Sequence, residues 1–465
     1  MRILTVGVTA GILVGLAALG QSLPNLAPLP NNSGYLETLS INGGDIPLTG
    51  AFFQSLGTNG RSCASCHRPG QGWGISAVEV AARFDATGGL DPIFRTNDGS
   101  NCDHNIDTST LAGRRSAYSL LVSKGLIRIS LPVPPTAEFT VVSVVNPYQC
   151  GELTPLSMYR RPLPSTNLRF LSTVMWDGRE STPPSTQKIT FSTNPGDLVF
   201  DLSHQAVDAT NGHAQASTPL TQAQIDDIVH FETGLATAQA IDNNAGFLNI
   251  AGATGGPEPL VKQPFFVGIN DPLGLNPFGT VFSSIIFSLY DAWTHGEHAN
   301  ARSVAGYRAQ IARGQALFNT KPIEITGVAG LNDDLGVPVI HGFCGTCHDS
   351  PNVGNHSVSA PLNIGVGDLD SPLDVTYLPV ITLQNNTTGA IKKTTDPGRA
   401  LITGKWKDVG RLKGPILRGL PSRAPYFHNG SAGTLGDVVD FYNQRFSVGF
   451  TAQEKDDLVA FLRTL

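Results

Sequence analysis

Two segments of the chain carry the same five-residue pattern, Cys63-Ala-Ser-Cys66-His67 in the first third and Cys344-Gly-Thr-Cys347-His348 in the last. C-x-x-C-H is the attachment signature of c-type haem. Two thiols on one turn each add across a vinyl group, and the imidazole that follows coordinates the iron as its proximal ligand. The pattern therefore predicts two covalent haems, one on Cys63, Cys66 and His67, the other on Cys344, Cys347 and His348. A lone C-x-x-C also serves redox disulfides and zinc sites. A zinc site closes its ligands locally, and a redox motif has no need of a histidine after the second cysteine in both copies.

Attachment of c-type haem takes place outside the cytoplasm, and the N-terminus agrees. Arg2 precedes an uncharged apolar stretch from Ile3 to Leu19, with small residues at Ala18 and Gly20. Residues 1–20 read as a signal peptide cut before Gln21, followed by a linker over 21–45, which makes the mature protein periplasmic. The competing reading is an uncleaved anchor, because about 17 apolar residues sit at the lower edge of a membrane span. In an oxidising compartment the even remainder, Cys102 and Cys150, pairs as a disulfide; two free buried thiols are the alternative. The net charge of −6, without any Lys/Arg run, excludes a nucleic-acid binder.

With 51 glycines and 32 prolines the chain is rich in loops. The expected architecture is mainly α, with two cytochrome c-like haem domains over 46–300 and 301–465. The first is enlarged by loops and a β-hairpin insertion. A short helix is expected over Pro47–Leu56 and irregular chain over 68–125. The hairpin joins the β-branched runs Leu126–Val133 and Glu138–Val145. Thr221 with Gln224 forms a capping box that starts a helix. Val281–Thr294 aligns Phe282, Ile285, Leu289 and Trp293 on one helical face, and 303–318 leads into the second haem motif. Thr451 and Glu454 cap a last helix whose buried stripe is Leu458, Phe461, Leu462 and Leu465.

Further segments carry a family resemblance. Trp176-Asp177-Gly178-Arg179, Lys413-Gly414-Pro415-Ile416-Leu417-Arg418, Pro425-Tyr426-Phe427-His428-Asn429-Gly430-Ser431 and the run Leu435–Asn443, taken with the two haem motifs, resemble the bacterial di-haem cytochrome c peroxidase family. The family includes the related enzymes that mature a tryptophylquinone cofactor. The likeness is dense only after Arg399. It implies a peroxidase in which a small cytochrome c or cupredoxin feeds the C-terminal haem on His348. Electrons then cross by Trp176 to the N-terminal haem on His67, where hydrogen peroxide is reduced. Read alone, Trp176 is equally a core indole. Calcium between the domains and homodimerisation are further family properties on which side-chain types are silent.

Two departures bear on mechanism. The common peroxidases place a methionine opposite the C-terminal haem's histidine, but no methionine follows Met175 here. At the matching place stands Tyr442, as in the maturation enzymes; a phenolate lowers the iron's potential where methionine raises it. Tyr442 as mere packing, or His428 as the ligand, are the other readings. On the peroxidatic side Thr186 stands where the family has glutamine, Gln187 comes one residue late, and no carboxylate stands at the family's next position. His213 and His204 are the replacements for acid–base work, or second axial ligands, or solvated loop histidines. Two other functions follow: a maturation- or oxygenase-type oxidase using higher oxidation states of iron, and a two-haem electron carrier.

Overall fold

A computed structural model describes residues 20–181, 195–271, 276, 278–296, 299–351 and 361–465. Residues 1–19 of the expected signal peptide (1–20), Thr186 and Gln187 lie outside the described residues. The fold is mixed α/β, which corrects the mainly α expectation. Helices pack around the second haem motif, and short sheets built from distant segments brace the rest.

The expected linker holds strands. Gly34–Ser40 pairs with Leu29–Asn31 on one edge and with Leu235–Asp242 on the other, in a four-stranded sheet completed by Gly246–Phe247. Leu36 is fully buried. Thr38 shares a hydrogen bond with Thr237 (2.9 Å) and accepts one from Trp73 Nε1 (2.9 Å). The proline-rich composition suggested an extended connection, and extended backbone becomes a strand once a partner meets its unpaired amides.

The hairpin is not formed. Ile127–Leu131 pairs with Leu156–Arg160, and Phe139–Val145 pairs with Val380–Asn385, more than two hundred positions away. A strand takes the partner that buries its apolar face. Phe139, Leu156, Met158, Ile381, Leu383 and Leu401 close one cluster, which adjacent strands in a hairpin would have left open. Residues 68–125, expected to be irregular, contain the helices Ala77–Thr87, Leu111–Ala117 and Ser119–Lys124. The first is capped by Ser76, whose side chain accepts from the Glu79 amide.

Val281–Thr294 is not a helix either. It runs irregularly into a 3₁₀ turn at Asp291–Gly296, with Ile285 exposed. The cause is competition for its backbone. Asn319 accepts from the amides of Ile286 and Phe287 (both 3.2 Å) and donates to the Phe287 carbonyl (2.8 Å), while Gln315 accepts from the Tyr290 amide (2.9 Å). Both side chains belong to the helix Val304–Thr320. Pro47–Leu56 is reduced to a 3₁₀ turn at Ala51–Phe53.

The capped helices stand as read. Gln222–Thr233 starts on the Thr221/Gln224 box, and Ala452–Leu462 on the Thr451/Glu454 box. The latter buries Leu458, Phe461 and Leu462 against Phe287, Phe318 and Val439, with Leu465 beside them. Cys102 and Cys150 are joined by a disulfide.

Candidate functional site: two cavities around the paired motifs

Both motifs fold into the same turn. The Cys66 and His67 amides donate to the Cys63 carbonyl (3.1 and 3.0 Å), and the Cys347 and His348 amides to that of Cys344 (3.2 and 3.0 Å). A hydroxyl closes each turn: Ser65 accepts from the Ser62 amide and Thr346 from the Phe343 amide, both at 3.0 Å. Each turn opens onto its own cavity, one lined by Cys63, Cys66 and His67, the other by Cys344, Cys347 and His348.

His67 Nδ1 donates to the Trp73 carbonyl (3.0 Å) and lies 2.9 Å from Ser165 Oγ. Burial pushes the imidazole down to about 4, so it is neutral at physiological pH and Nε2 is the nitrogen left for a metal. Trp73 is itself held by Thr38, so the strand from the expected linker sets the orientation of His67. His348 lies against Phe318 and Tyr442, with ring centroids 5.9 and 6.4 Å away. Burial pushes the Cys63, Cys344 and Cys347 thiols up to about 12.

The donor set fits haem. Each wall offers a thiol pair and a histidine, and apolar side chains make up most of the rest. The buried cations are the second sign. Lys413 and Arg161 line both cavities and Arg423 the second. None of the three makes an ion pair among the described residues. Burial pushes them down to about 8, 9 and 10 respectively. A cation so buried calls for an anion, and a haem brings two carboxylates.

Trp176 borders both cavities. Its Nε1 donates to the Arg161 carbonyl (2.7 Å), and its own carbonyl accepts from the Lys413 amide (2.6 Å). The next three residues anchor it. Asp177, fully buried, pairs with Arg160 (2.6 Å) and Arg179 (2.8 Å), and Arg160 also pairs with Asp396. Burial alone would raise Asp177, but the two guanidiniums outweigh it and hold the carboxyl down to about 2. Arg399 donates to the carbonyls of Asp177 and Gly178 (both 2.9 Å).

His213 ends the helix Pro195–His213 and lines the first cavity with His67. It is not a solvated loop histidine: its Nδ1 lies 2.5 Å from Asp98 Oδ2. His204 leaves the cavity and pairs with Glu180 (2.7 Å). Around the second motif, Tyr442 lies on the helix Leu435–Arg445 with its ring stacked on Phe446; burial raises its phenol well above the ordinary value. His428 lines the same cavity, 6.0 Å from the Trp176 ring, with its buried Nε2 lacking a hydrogen-bond partner and its imidazole pushed down to about 4 by burial. Met158 is buried among Ile381 and Leu383, and Met175 lines only the first cavity.

Asp98, Arg61 and Glu232 were not legible as site residues. Glu232 lines the first cavity; one of its carboxylate oxygens is buried without a partner, and burial pushes the group up to about 7. No local pattern marks any of the three, since each reaches the cavity from a different stretch of chain.

Two C-x-x-C-H turns thus open onto cavities that share one tryptophan, a pair of candidate haem sites. No family model matches the chain. Cytochrome-c peroxidase IdrP1 of Denitromonas iodatirespirans is 29% identical over 206 residues, 40% of this chain and 46% of that protein. IdrP2 of the same organism is 34% identical over 135 residues, 27% of this chain and 36% of its own length. A MauG-like protein associated with microbial copper homeostasis aligns over 96% of this chain and 94% of its own at 16% identity and a TM-score of 0.35, too loose to transfer any position. The chain spans less than half the length of the curated relatives it matches. Part of the chain is thus similar to bacterial cytochrome-c peroxidases.

Proposed function

We propose that the protein is an exported di-haem peroxidase that reduces hydrogen peroxide with electrons from a small cytochrome c or cupredoxin. The observation that carries this reading is the indole of Trp176, which borders both cavities while a buried ion-pair network holds its backbone. Cys63, Cys66 and His67 would hold one haem, and Cys344, Cys347 and His348 the other. Bound haem iron supplies the redox centre and, where a face is open, a seat for peroxide.

The chain's own residues do the rest. Lys413, Arg161 and Arg423 meet the haem carboxylates in the buried walls. Trp176 is the side chain across which electrons cross from the C-terminal to the N-terminal site. His213 handles the protons in the first cavity, accepting one from peroxide and returning it to the leaving oxygen. Two electrons and two protons then turn each peroxide into two waters.

Electron paramagnetic resonance of the oxidised protein, combined with peroxide turnover on a reduced small cytochrome c, tests the reading. One high-spin ferric haem and steady turnover are expected. Two low-spin haems without turnover after partial reduction would make it an electron carrier.

A second reading has its own support in the second cavity. No methionine among the described residues lines it, and Tyr442 stands next to His348. A tyrosine-ligated haem of low potential suits an oxidase-type enzyme acting on a protein or organic substrate. Turnover of such a substrate with peroxide, and none with a small cytochrome, would favour it.

A further inference from the structure

In sequence, Thr186 stands where the family has glutamine and no carboxylate stands at its next position, and the first cavity has a histidine that is held in place from several sides. The His213 carbonyl accepts from Asn59 Nδ2 (2.8 Å), Asn97 Nδ2 (3.3 Å) and Arg61 (3.3 Å). Asn97 also donates to the Gly212 carbonyl (2.9 Å), and the Thr58 hydroxyl to that of Gln215 (2.8 Å). The packing leaves no slack, since a Cβ on Gly57 would fall 1.9 Å from the Ala214 carbonyl oxygen. The end of the helix Pro195–His213 is thus fastened to the segment that leads into Cys63.

The imidazole is fixed as well. Asp98 Oδ2 lies 2.5 Å from His213 Nδ1, and the other oxygen of Asp98 pairs with Arg61. Asp98 and Arg61 are both buried, whereas the His213 side chain is 37% exposed and faces the cavity. Arg61 in turn donates to the carbonyls of Pro92 (2.9 Å) and Ile93 (2.5 Å). A carboxylate accepts only, so the proton of a neutral His213 sits on Nδ1 and Nε2 is an acceptor.

We infer that Asp98, itself locked by Arg61, is a positioning residue that keeps His213 in the tautomer able to take a proton from a ligand entering the first cavity. This rests on the di-haem reading and adds to it an Arg–Asp–His chain on the wall of the first cavity. Breaking it from the far end costs more than a contact. An asparagine at 98 presents an NH₂ to Nδ1, moves the imidazole proton to Nε2, and so turns the acceptor into a donor. The Asp-to-Asn change in the serine-protease triad acts by the same wrong-tautomer effect.

The test uses the full haem-loaded protein and two readouts, peroxide turnover and cyanide binding followed at the Soret band. Cyanide arrives as neutral HCN and must lose its proton to bind. Asp98→Asn is expected to slow both by about 10²-fold or more, with kcat falling and KM little changed. His213→Ala should match it, and the double variant should be no slower than either. Haem content and inter-haem electron transfer should stay at wild-type values. Asp98→Glu keeps a carboxylate for Arg61 while moving it relative to Nδ1; it should lose only part of each rate, and it decides the matter if the asparagine variant does not fold. Rates within twofold of wild type in the folded Asp98 variants overturn the inference and leave the di-haem reading standing. A wild-type protein with fewer than two covalent haems overturns both.

Discussion

The two haem motifs fold alike, to within 0.1 Å in their turn hydrogen bonds, and differ in almost everything around them. The first cavity gathers ionisable side chains: Arg61, Asp98, His213, Glu232, Arg160 and Arg179 all reach its wall. The second is enclosed mostly by Phe, Leu, Ile and Val; beside the cations Arg161, Lys413 and Arg423 its wall carries His428 and Tyr442, and no carboxylate among the described residues. A five-residue motif settles where a haem is attached. Its surroundings settle what that haem does, because proton transfer needs titratable groups within reach whereas a dry, apolar wall suits electron transfer. The contrast supports the proposed division, with peroxide chemistry at the first site and electron entry at the second.

The largest effect would break the comparison outright. A denatured pyridine haemochrome assay should find two covalent haems per chain, one each after Cys63→Ala/Cys66→Ala or Cys344→Ala/Cys347→Ala. A wild-type chain with fewer than two leaves no pair of sites to compare.

Next comes the wall the two sites share. Trp176→Phe should leave both haem spectra intact and slow inter-haem transfer several-fold, read by flash reduction. An unchanged rate would make Trp176 a packing residue, and the cavities would then be neighbours without a bridge.

A spectroscopic effect sharpens the second site. The C-terminal haem should lack the far-red sulfur-to-iron band and change its spectrum on Tyr442→Phe. Indifference to that substitution would move ligation to His428. A clear sulfur band would require a methionine to enter a cavity that none of the described methionines lines.

The smallest effect separates the sites by stability. The Glu232 carboxyl is raised by burial to about 7 from an ordinary value near 4.5, which the neighbouring Ser165 only partly opposes. The folded chain therefore binds a proton more tightly there than the unfolded chain, and stability from this group falls as pH rises from 4.5 to 7. The full cost above pH 7 is about 3 kcal/mol. Glu232→Gln should flatten that part of the stability–pH curve, whereas Tyr442→Phe should not. Urea midpoints at pH 5 and pH 8 compare them.

Sequence spacing alone marked the cysteine pairs, the histidine that follows each and the two capping boxes, because each is a local pattern whose chemistry is complete within a few residues; Trp176 entered through the family resemblance. Spacing misplaced the strands for the opposite reason. Phe139–Val145 found its partner at Val380–Asn385, and Gly34–Ser40 found Leu235–Asp242; alternating apolar residues announce a strand but not whose face will cover it. The helix expected over Val281–Thr294 failed because Asn319 and Gln315 took its backbone groups, a competition that no window of that length contains.

The division runs through the site itself. Residue order determined that two C-x-x-C-H turns exist, that each ends in a histidine, and that no methionine follows Met175. Only the tertiary structure decided that His213 would meet Asp98 and Arg61 rather than solvent, that His204 would turn away to Glu180, and that one indole would border both cavities. Covalent attachment needs neighbours along the chain. A positioned proton acceptor needs neighbours in space, drawn from three stretches more than a hundred residues apart at their extremes, and only folding brings those together.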